Sequence, residues 1–477
     1  MLPLNLPFPR LSWPLRRWLL PVVMIVCLLL SCAGFSSVSP PTLQVQPPTA
    51  TYVAAAPITP TPSLPAGAAV LNDTVDPTIN DLLDLVQSDR LMVAVGALAD
   101  MHSRHVLSKP TSNIGGISGA RDWLIAQFNA IRTANPQQPI TVWTQGFQYT
   151  WNGFNISTQN VVSIFQGTDI GTGVIVIGAH YDSITTDYTN GQTYAPGAND
   201  NGSGVAAMLE VARILAGQPH RTTLIFVAFA AEETGRQGSI AFVKSYLQAQ
   251  TPPVDVRAMI NLDIIGSEMG PNGVVDQHTL RLFSAEPNDS PSRQEARQIA
   301  LIIKTYLDDV DPVLQSAEER TGRWGDQQSF RAAGYPAIRM IQGLEDLSRQ
   351  HTPRDTIDNV QPGYLMRITR ALLVCLAILA DGPTPPTNIA LRVPINSPQT
   401  QTLVWTPSVD ATEYLVVLRQ TSSLYFDQSF TIKATASPEL TWSGFDRFAT
   451  VAIAAVNKAG RMGPLTPELS IASLLRR

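Results

Sequence analysis

The sequence predicts an α/β fold in which a mixed, mostly parallel central sheet is covered by helices on both faces, followed by a C-terminal all-β sandwich. Two observations lead to this prediction. Apolar runs of strand length alternate with helical patterns between residues 79 and 341, which is typical of α/β sheets. After residue 387 short alternating runs replace that pattern, as expected for a sandwich.

The elements of the α/β part follow one another in a clear order. Helical spacing covers residues 79–98 and 117–131, and a third helical pattern covers 205–215. The predicted strands cover residues 140–143, 159–164, 174–178, 223–230, 259–264 and 337–341. Helices separate most of these strands, but not the first two, so we expect a mixed sheet and not a wholly parallel one.

The domain organisation follows from length and composition. A chain of 477 residues exceeds what one hydrophobic core usually holds. We predict a signal peptide over residues 1–32, a linker over 33–75, an α/β domain over 76–381 and a β domain over 387–475. The Pro-rich segment from Asp381 to Pro386 marks the last boundary.

The amino terminus indicates export. Three arginines precede an apolar stretch over residues 18–30, which is too short and proline-broken for a comfortable membrane span. This leader ends in Leu-Leu-Ser-Cys at Cys32, which resembles the bacterial lipobox, so we expect a lipid anchor on Cys32 and a membrane-attached, extracytoplasmic protein. A plain cleaved signal and an uncleaved anchor are the alternatives. The uncharged Pro- and Thr-rich linker that follows predicts an extended tether.

Five residues with metal-binding side chains stand in favourable local sequences. They are His180, Asp200, Glu233, Asp263 and His351. Most of them lie at or near the ends of apolar runs, and the glycine-rich turn around Asp200 lets the backbone fold tightly. Zinc takes imidazole nitrogen and carboxylate oxygen, and two zinc ions can share five such residues if one carboxylate bridges them. The spacing does not say which carboxylate bridges.

Two further carboxylates are predicted to support these residues. Glu232 and Glu233 are adjacent, so we assign Glu233 to metal and Glu232 to general base, which takes a proton from a metal-activated water. Asp182 follows His180 by two residues and is placed to accept its second imidazole N–H. In the same way, Asp355 is expected to brace His351.

At these positions the chain resembles the secreted double-zinc leucyl aminopeptidases, whose relatives include the glutaminyl cyclases. The resemblance covers residues 91–380. It rests on His-Tyr-Asp-Ser at His180, Gly-Ala-Asn-Asp-Asn-Gly-Ser-Gly around Asp200, the Glu-Glu pair, Asn-Leu-Asp at Asp263 and His-Thr-Pro-Arg-Asp-Thr at His351. It implies a zinc exopeptidase fold and hydrolysis of N-terminal residues from peptides or proteins.

The resemblance also implies individual roles. Asp200 would bridge the metals, with His180 and Asp263 completing one zinc site and Glu233 and His351 the other. Asp182 would support a ligand, Glu232 would be the base, and the Asp200–Asn201 peptide would be cis. The C-terminal part separately resembles a fibronectin type III module, with Trp405 and Tyr414 in its core.

The sequence departs from this family at one informative position. Gln327 replaces the histidine of a Ser-Asp-His element, which puts a substrate-side or supporting detail in doubt. Cys375 is the only cysteine after the leader besides Cys32, so a disulfide found in some relatives is impossible.

Two other function classes remain open at this point. A glutaminyl cyclase would keep much of the constellation with a single zinc, although the His-Thr-Pro-Arg-Asp-Thr segment favours a peptidase. A non-catalytic adhesion protein would use the sandwich, but the full ligand set and Glu232 argue against it. A net charge of −5 and a pI near 5.7 give no basic patch, so we expect no nucleic-acid partner.

Overall fold

An eight-stranded mixed sheet forms the centre of the α/β part in the computed structural model, which describes residues 76–111, 115–393, 400–427, 432–434 and 438–475. Its strands are β1 (Ile140–Trp151), β2 (Phe154–Phe165), β3 (Val174–His180), β4 (Thr223–Phe229), β5 (Val256–Leu262), β6 (Thr279–Ser284), β7 (Asp311–Leu314) and β8 (Ala337–Gln342). The spatial order is β1-β2-β4-β3-β5-β8-β6-β7. The central strands β4, β3, β5 and β8 are parallel.

Helices cover both faces of this sheet, as predicted. They are α1 (Pro77–Leu83), α2 (Ser88–Ala99), α3 (Gly116–Ala134), α4 (Gly204–Leu215), α5 (Gln237–Phe242), α6 (Pro291–Tyr306), α7 (Gln327–Ala332) and α8 (Pro362–Asp381). Side chains alternate between the faces of a strand. Ile175 and Ile177 of β3 therefore pack into the larger core with α2, α4 and α8, while Val176 joins Phe242 and Phe330 of α5 and α7.

The structure adds detail that the sequence patterns did not predict. Strands β6 and β7 extend the sheet beyond β8; β6 carries a charged residue, and β7 has only four residues, one of them proline. The single helical pattern over residues 79–98 is divided into α1 and α2. At the break, the Gln87 N–H donates to Glu210 Oε1 over 3.1 Å and not to a helical carbonyl.

The C-terminal part consists of two antiparallel sheets that share a hydrophobic core. One sheet contains β9 (Thr387–Arg392), β10 (Gln401–Thr406) and β13 (Glu439–Trp442). The other contains β11 (Glu413–Arg419), β12 (Ile432–Ala434), β14 (Thr450–Val456), β15 (Met462–Leu465) and β16 (Leu469–Ser470), followed by the short helix α9 (Ile471–Leu474). Trp405 packs edge-on against Tyr414 at 5.0 Å between ring centroids. The fibronectin type III assignment stays a prediction.

The outer face of the second C-terminal sheet is part of the core of the α/β part. Leu415 and Val417 of β11 and Ala452 and Ala454 of β14 belong to the same hydrophobic cluster as α6 and α8. Helix α8 is the one helix in the described ranges that is long and apolar enough to cross a membrane, but 78% of it is buried. It is therefore a core helix, and the two parts share apolar packing.

A buried ionic network also links the α/β part to the C-terminal part. Glu468 accepts hydrogen bonds from Arg419 Nε at 2.7 Å and Thr450 Oγ1 at 2.8 Å, and it also pairs with Arg297 of α6. The side chains of Arg297, Arg419 and Glu468 are 0%, 4% and 2% exposed. Because a single carboxylate is the shared ion-pair partner of two buried guanidinium groups, the junction depends on Glu468.

Replacing Glu468 by Gln should therefore destabilise the protein strongly. The change leaves two buried guanidinium groups without a counter-charge, and losing one partner of a buried ion pair costs about 3–5 kcal/mol. Chemical denaturation would measure the change in unfolding free energy. Arg257→Gln, which breaks the exposed pair with Asp255, is the matched control and should cost less than about 1 kcal/mol. Equal, small effects for both variants would contradict the importance of the network.

Candidate metal centre

His180 lies at the end of a strand in the middle of the sheet. It is the last residue of β3, which lies between two parallel neighbours, and it is 1% exposed. Active sites of open α/β sheets lie at the carboxyl ends of such strands. The ring Nδ1 faces Asp182, at 3.2 Å from its carbonyl oxygen and 3.6 Å from its carboxylate. Its Nε2 is thereby left for the centre.

Asp200 stands in a tight turn that is held from two sides. Gly197 opens the turn in the left-handed region, with φ of 51°, and an added Cβ there would lie 2.5 Å from the Asp200 carbonyl oxygen. The Asp355 carboxylate accepts the N–H groups of Asn199 at 3.1 Å and Asp200 at 2.8 Å. Asp355 thus supports Asp200 and not His351, contrary to the sequence-based expectation. The Asp200–Asn201 peptide is cis, as predicted.

A buried arginine holds the segment that leads into this turn. Arg104 is 0% exposed and donates to the carbonyl oxygens of Tyr181 at 2.7 Å and Gly197 at 2.9 Å, and to that of Pro196. Arg104 therefore fixes the backbone after β3 relative to the Asp200 turn. No sequence pattern pointed to this residue.

The adjacent glutamates follow β4, the neighbour of β3. Asp182 accepts the backbone N–H of Glu232 through one carboxylate oxygen and that of Glu233 through the other, each at 3.1 Å. Ala231, just before the pair, has a φ of 62°, which turns the chain sharply out of the strand. Asp182 therefore aligns the two glutamates as well as contacting His180.

Asp263 follows β5 and is held by a chain of buried polar groups. Its Oδ2 pairs with Arg339 of β8 at 2.8 Å, and Arg339 also pairs with Glu319 at 3.1 Å. Gln327 donates to Glu319 over 2.7 Å and accepts from Asn261 over 3.2 Å. The residue that departs from the family pattern is therefore a distant support of Asp263. Neither Arg339 nor Glu319 was predicted.

The carboxylate of Asp200 lies between two pairs of side chains. Its Oδ1 is 3.2 Å from His180 Nε2, and Asp263 Oδ1 is 3.4 Å from the same nitrogen. Its Oδ2 is 3.2 Å from His351 Nε2, which is also 3.1 Å from Glu233 Oε2. The structure thus brings all five predicted ligand residues together. Each oxygen of Asp200 faces a different pair.

The pKa shifts of these groups reflect the number of carboxylates at the centre. Burial alone would lower the pKa of His180, but contacts with three carboxylates raise it well above its ordinary value. Burial likewise opposes the charged form of Asp200, but two histidines hold its pKa well below the usual range. Because Glu233 Oε1 and Asp263 Oδ1 are buried without a hydrogen-bond partner, the donor set fits divalent cations that accept imidazole and carboxylate ligands.

Glu232 lies beside this set without belonging to it. Burial raises the pKa of its carboxyl group well above the ordinary value, and the charges of neighbouring carboxylates act in the same direction. One of these neighbours is Asp326, which is 0% exposed and whose pKa burial raises to about 7. The raised pKa gives the Glu232 carboxyl group a proton affinity suited to general acid–base work.

The comparisons with known proteins agree with this arrangement. Residues 160–376 match the model of peptidase family M28. A probable zinc metalloprotease of Pyricularia oryzae is 33% identical over 365 residues, covering 70% of this chain and 72% of its own. One from Pyrenophora tritici-repentis is 28% identical over 348 residues, covering 66% and 80%. Among solved structures, the LapA aminopeptidase of Legionella pneumophila matches with a TM-score of 0.51 and 22% identity, over 64% of this chain and 76% of its own.

Fold and site together define a zinc-dependent metallopeptidase. The chain belongs to peptidase family M28.

Replacing Arg339 by Met should weaken metal binding, because Asp263 loses the guanidinium that orients it and Glu319 becomes a buried, unpaired charge. Loss of such an outer partner typically lowers metal affinity about 10–100-fold. Competition with a chromogenic chelator would measure the affinity. Arg461→Met is the matched control, since Arg461 pairs with the buried Asp76 and neither residue contacts the five candidate ligands. Unchanged affinity in a folded Arg339→Met protein would refute the supporting role.

Proposed function

We propose that this protein is a two-zinc aminopeptidase that hydrolyses N-terminal residues from peptides. The observation that carries the proposal is the position of Asp200, whose two oxygens each face one histidine and one further carboxylate. A carboxylate shared in this way suits two ions roughly 3.5–4 Å apart. His180 and Asp263 would hold one ion, and Glu233 and His351 the other.

The residues of the chain divide the chemistry between them. Zinc, when bound, supplies Lewis acidity, which polarises the peptide carbonyl and makes water a better nucleophile at neutral pH. Glu232 takes a proton as the water oxygen bonds to the carbonyl carbon. It then passes this proton to the nitrogen as the C–N bond breaks, so that the amine leaves neutral. Asp182 holds Glu232 in place by accepting a hydrogen bond from the backbone N–H of Glu232.

The shape of the site supports action at a chain end. The cavity over the centre has a volume of about 400 Å³, within the range of roughly 300–1,000 Å³ typical of small-ligand sites. Ile184, Tyr188 and Trp324 provide apolar surface on its walls, beside the polar floor formed by the predicted ligands. A cavity of this size accommodates a short stretch of peptide, such as a chain end.

The glutaminyl cyclase alternative is weaker on the same geometry. A cyclase of the related type uses a single zinc and no hydrolytic water. One of the two pairs around Asp200 would then have no ion to bind, although Glu233 and Asp263 each retain a buried oxygen without a partner. The pairing around Asp200 thus favours hydrolysis.

Substitution of the adjacent glutamates separates the base from the ligand. Glu232→Gln should keep about two metal ions per chain but lower turnover by about two or more orders of magnitude, the usual scale for loss of a general base. Glu233→Gln should lower metal occupancy. Metal analysis of each purified variant, with assays of leucinamide hydrolysis, would measure both effects. Near-normal hydrolysis by Glu232→Gln would exclude the proposed base.

A peptide with N-terminal glutamine serves as the second substrate in that assay. Release of the free amino acid from leucinamide, lost on chelation and regained with zinc, supports the aminopeptidase. Cyclisation of the glutamine peptide without any hydrolysis would assign the protein to the cyclases.

We also propose that the enzyme is exported and held at a membrane by lipid on Cys32. The proposal depends on the leader sequence, which lies outside the described residues. Mass spectrometry of protein made in a bacterial host should find a mature chain that begins at a lipid-modified Cys32 and partitions into detergent. Cys32→Ala should abolish both properties. An unmodified cysteine or a different first residue would overturn the proposal.

A further inference from the structure

The cavity over the metal centre contains positive charges that the proposed hydrolysis does not use. Its lining includes Arg236, Arg320 and Arg323 as well as the buried Arg339. Arg339 is engaged by Asp263 and Glu319. Arg320 is paired with Glu345 and lies 3.5 Å from Glu319. Two of the four guanidinium groups therefore have carboxylate partners within the protein.

The other two guanidinium groups have no such partner. Among the residues that the structure describes, neither Arg236 nor Arg323 forms an ion pair with a carboxylate. Both side chains are partly exposed. An arginine that faces a cavity without a counter-charge is available to bind a carboxylate of a ligand, often through two parallel hydrogen bonds.

Arg323 is linked to the metal centre through one residue, Gln350. Its Nη1 donates to Gln350 Oε1, and Gln350 Nε2 donates to Asp200 Oδ2 at 2.8 Å. Gln350 thereby holds one edge of the guanidinium near the Asp200 carboxylate and leaves the remaining N–H donors free. A carboxylate bound there would lie on the wall of the cavity that contains the metal centre.

Arg236 reaches the cavity from the turn that follows β4. It follows Glu233 by three residues and occupies the left-handed region with φ of 60°, which is uncommon for a residue other than glycine and costs free energy. Its backbone N–H donates to the Glu232 carbonyl at 2.8 Å. The turn that carries the proposed base thus also carries a cationic side chain to the cavity wall.

Charge balance indicates what these two arginines bind. Among the side chains that line the cavity, two divalent ions would balance the four carboxylates of Asp200, Glu232, Glu233 and Asp263, while Glu345 and Glu319 balance Arg320 and Arg339. Behind the lining, Arg104 offsets one of the two charges of Asp182 and Asp355. Arg236 and Arg323 then give the cavity an excess of positive charge. Such a field repels cationic side chains and attracts anionic ones.

We propose that Arg236 and Arg323 select substrates that carry a carboxylate next to the scissile bond. This inference rests on the proposed aminopeptidase function and names its substrate class. The carboxylate has two possible sources: the acidic side chain of a residue flanking the bond, or the free C-terminal carboxylate of a dipeptide. The same guanidinium groups would bind a carboxylate from either source. A panel of substrates distinguishes the acidic side chain from the C-terminal carboxylate.

The panel consists of short substrates that differ only in charge. Leucyl-leucinamide has no carboxylate, and leucyl-leucine adds the C-terminal one. Leucyl-glutamate amide and glutamyl-leucinamide add a side-chain carboxylate after or before the bond, and leucyl-glutamine amide and glutaminyl-leucinamide are their neutral isosteres. The zinc-loaded full-length enzyme should show kcat/KM values about 10–100-fold higher on at least one carboxylate substrate than on its neutral match, the scale of one charge-assisted hydrogen bond.

Variants assign that preference to the arginines. Arg323→Gln, Arg236→Gln and the double variant should reduce the ratio of kcat/KM between carboxylate and neutral substrates about ten-fold or more, chiefly through KM. Arg323→Lys should restore part of the ratio, because it keeps the charge without the planar fork. Arg132→Gln, an exposed change on α3 away from the cavity, is the matched control and should keep the wild-type ratio.

The outcomes separate this inference from the function it rests on. Equal wild-type kcat/KM values for the neutral and carboxylate substrates would overturn the inference while leaving the aminopeptidase intact. The inference also fails if the arginine variants lower all kcat/KM values by the same factor, since the residues would then be structural. Failure to release a free amino acid from any member of the panel would instead overturn the proposed function.

Discussion

The constraint on which the site depends is the repulsion among four carboxylates gathered at one buried point. Carboxylates within a few ångströms of one another in a low-dielectric interior cannot all remain charged without compensation. The protein supplies part of that compensation itself. Arg339 pairs with Asp263, His180 contacts Asp200, and His351 contacts Asp200 and Glu233. The remaining charge is what makes the centre bind cations.

The sheet brings most of these charged side chains together at one edge. Three adjacent parallel strands, β4, β3 and β5, end at one edge, and the glutamate pair, His180 and Asp263 stand at or within a few residues of these ends. Buried strands position their ends rigidly because every backbone group within the ladder is paired. The other two ligands, Asp200 and His351, come from turns and need the additional supports that Arg104 and Asp355 give to the Asp200 turn. The divided origin of the ligands explains why so many buried polar groups surround the site.

The sequence allowed much of this arrangement to be predicted, because buried strands have continuous apolar runs and their polar ends stand out. Strands β3, β4 and β5 were predicted in this way, and so were the candidate ligands His180, Glu233 and Asp263 near their ends. Asp200 was proposed from its glycine-rich turn, and His351 from a loop. The supports were missed because their partners are distant in sequence: Arg339 reaches Glu319 and Asp263, and Arg104 binds only carbonyl oxygens. Asp355 was assigned to the wrong neighbour, since proximity along the chain does not decide which backbone N–H group a carboxylate meets. Strands β6 and β7 lack a strong hydrophobic pattern.

The shared packing of α8 has a consequence for the order in which the protein is made. A ribosome completes this helix before it has added the strands whose outer face joins the same core. Until β11, β14 and β15 emerge, a 20-residue apolar helix with a mean hydropathy of 1.7 lacks part of its cover. The C-terminal sheets therefore complete the cover of α8 only after the rest of its core has been synthesised.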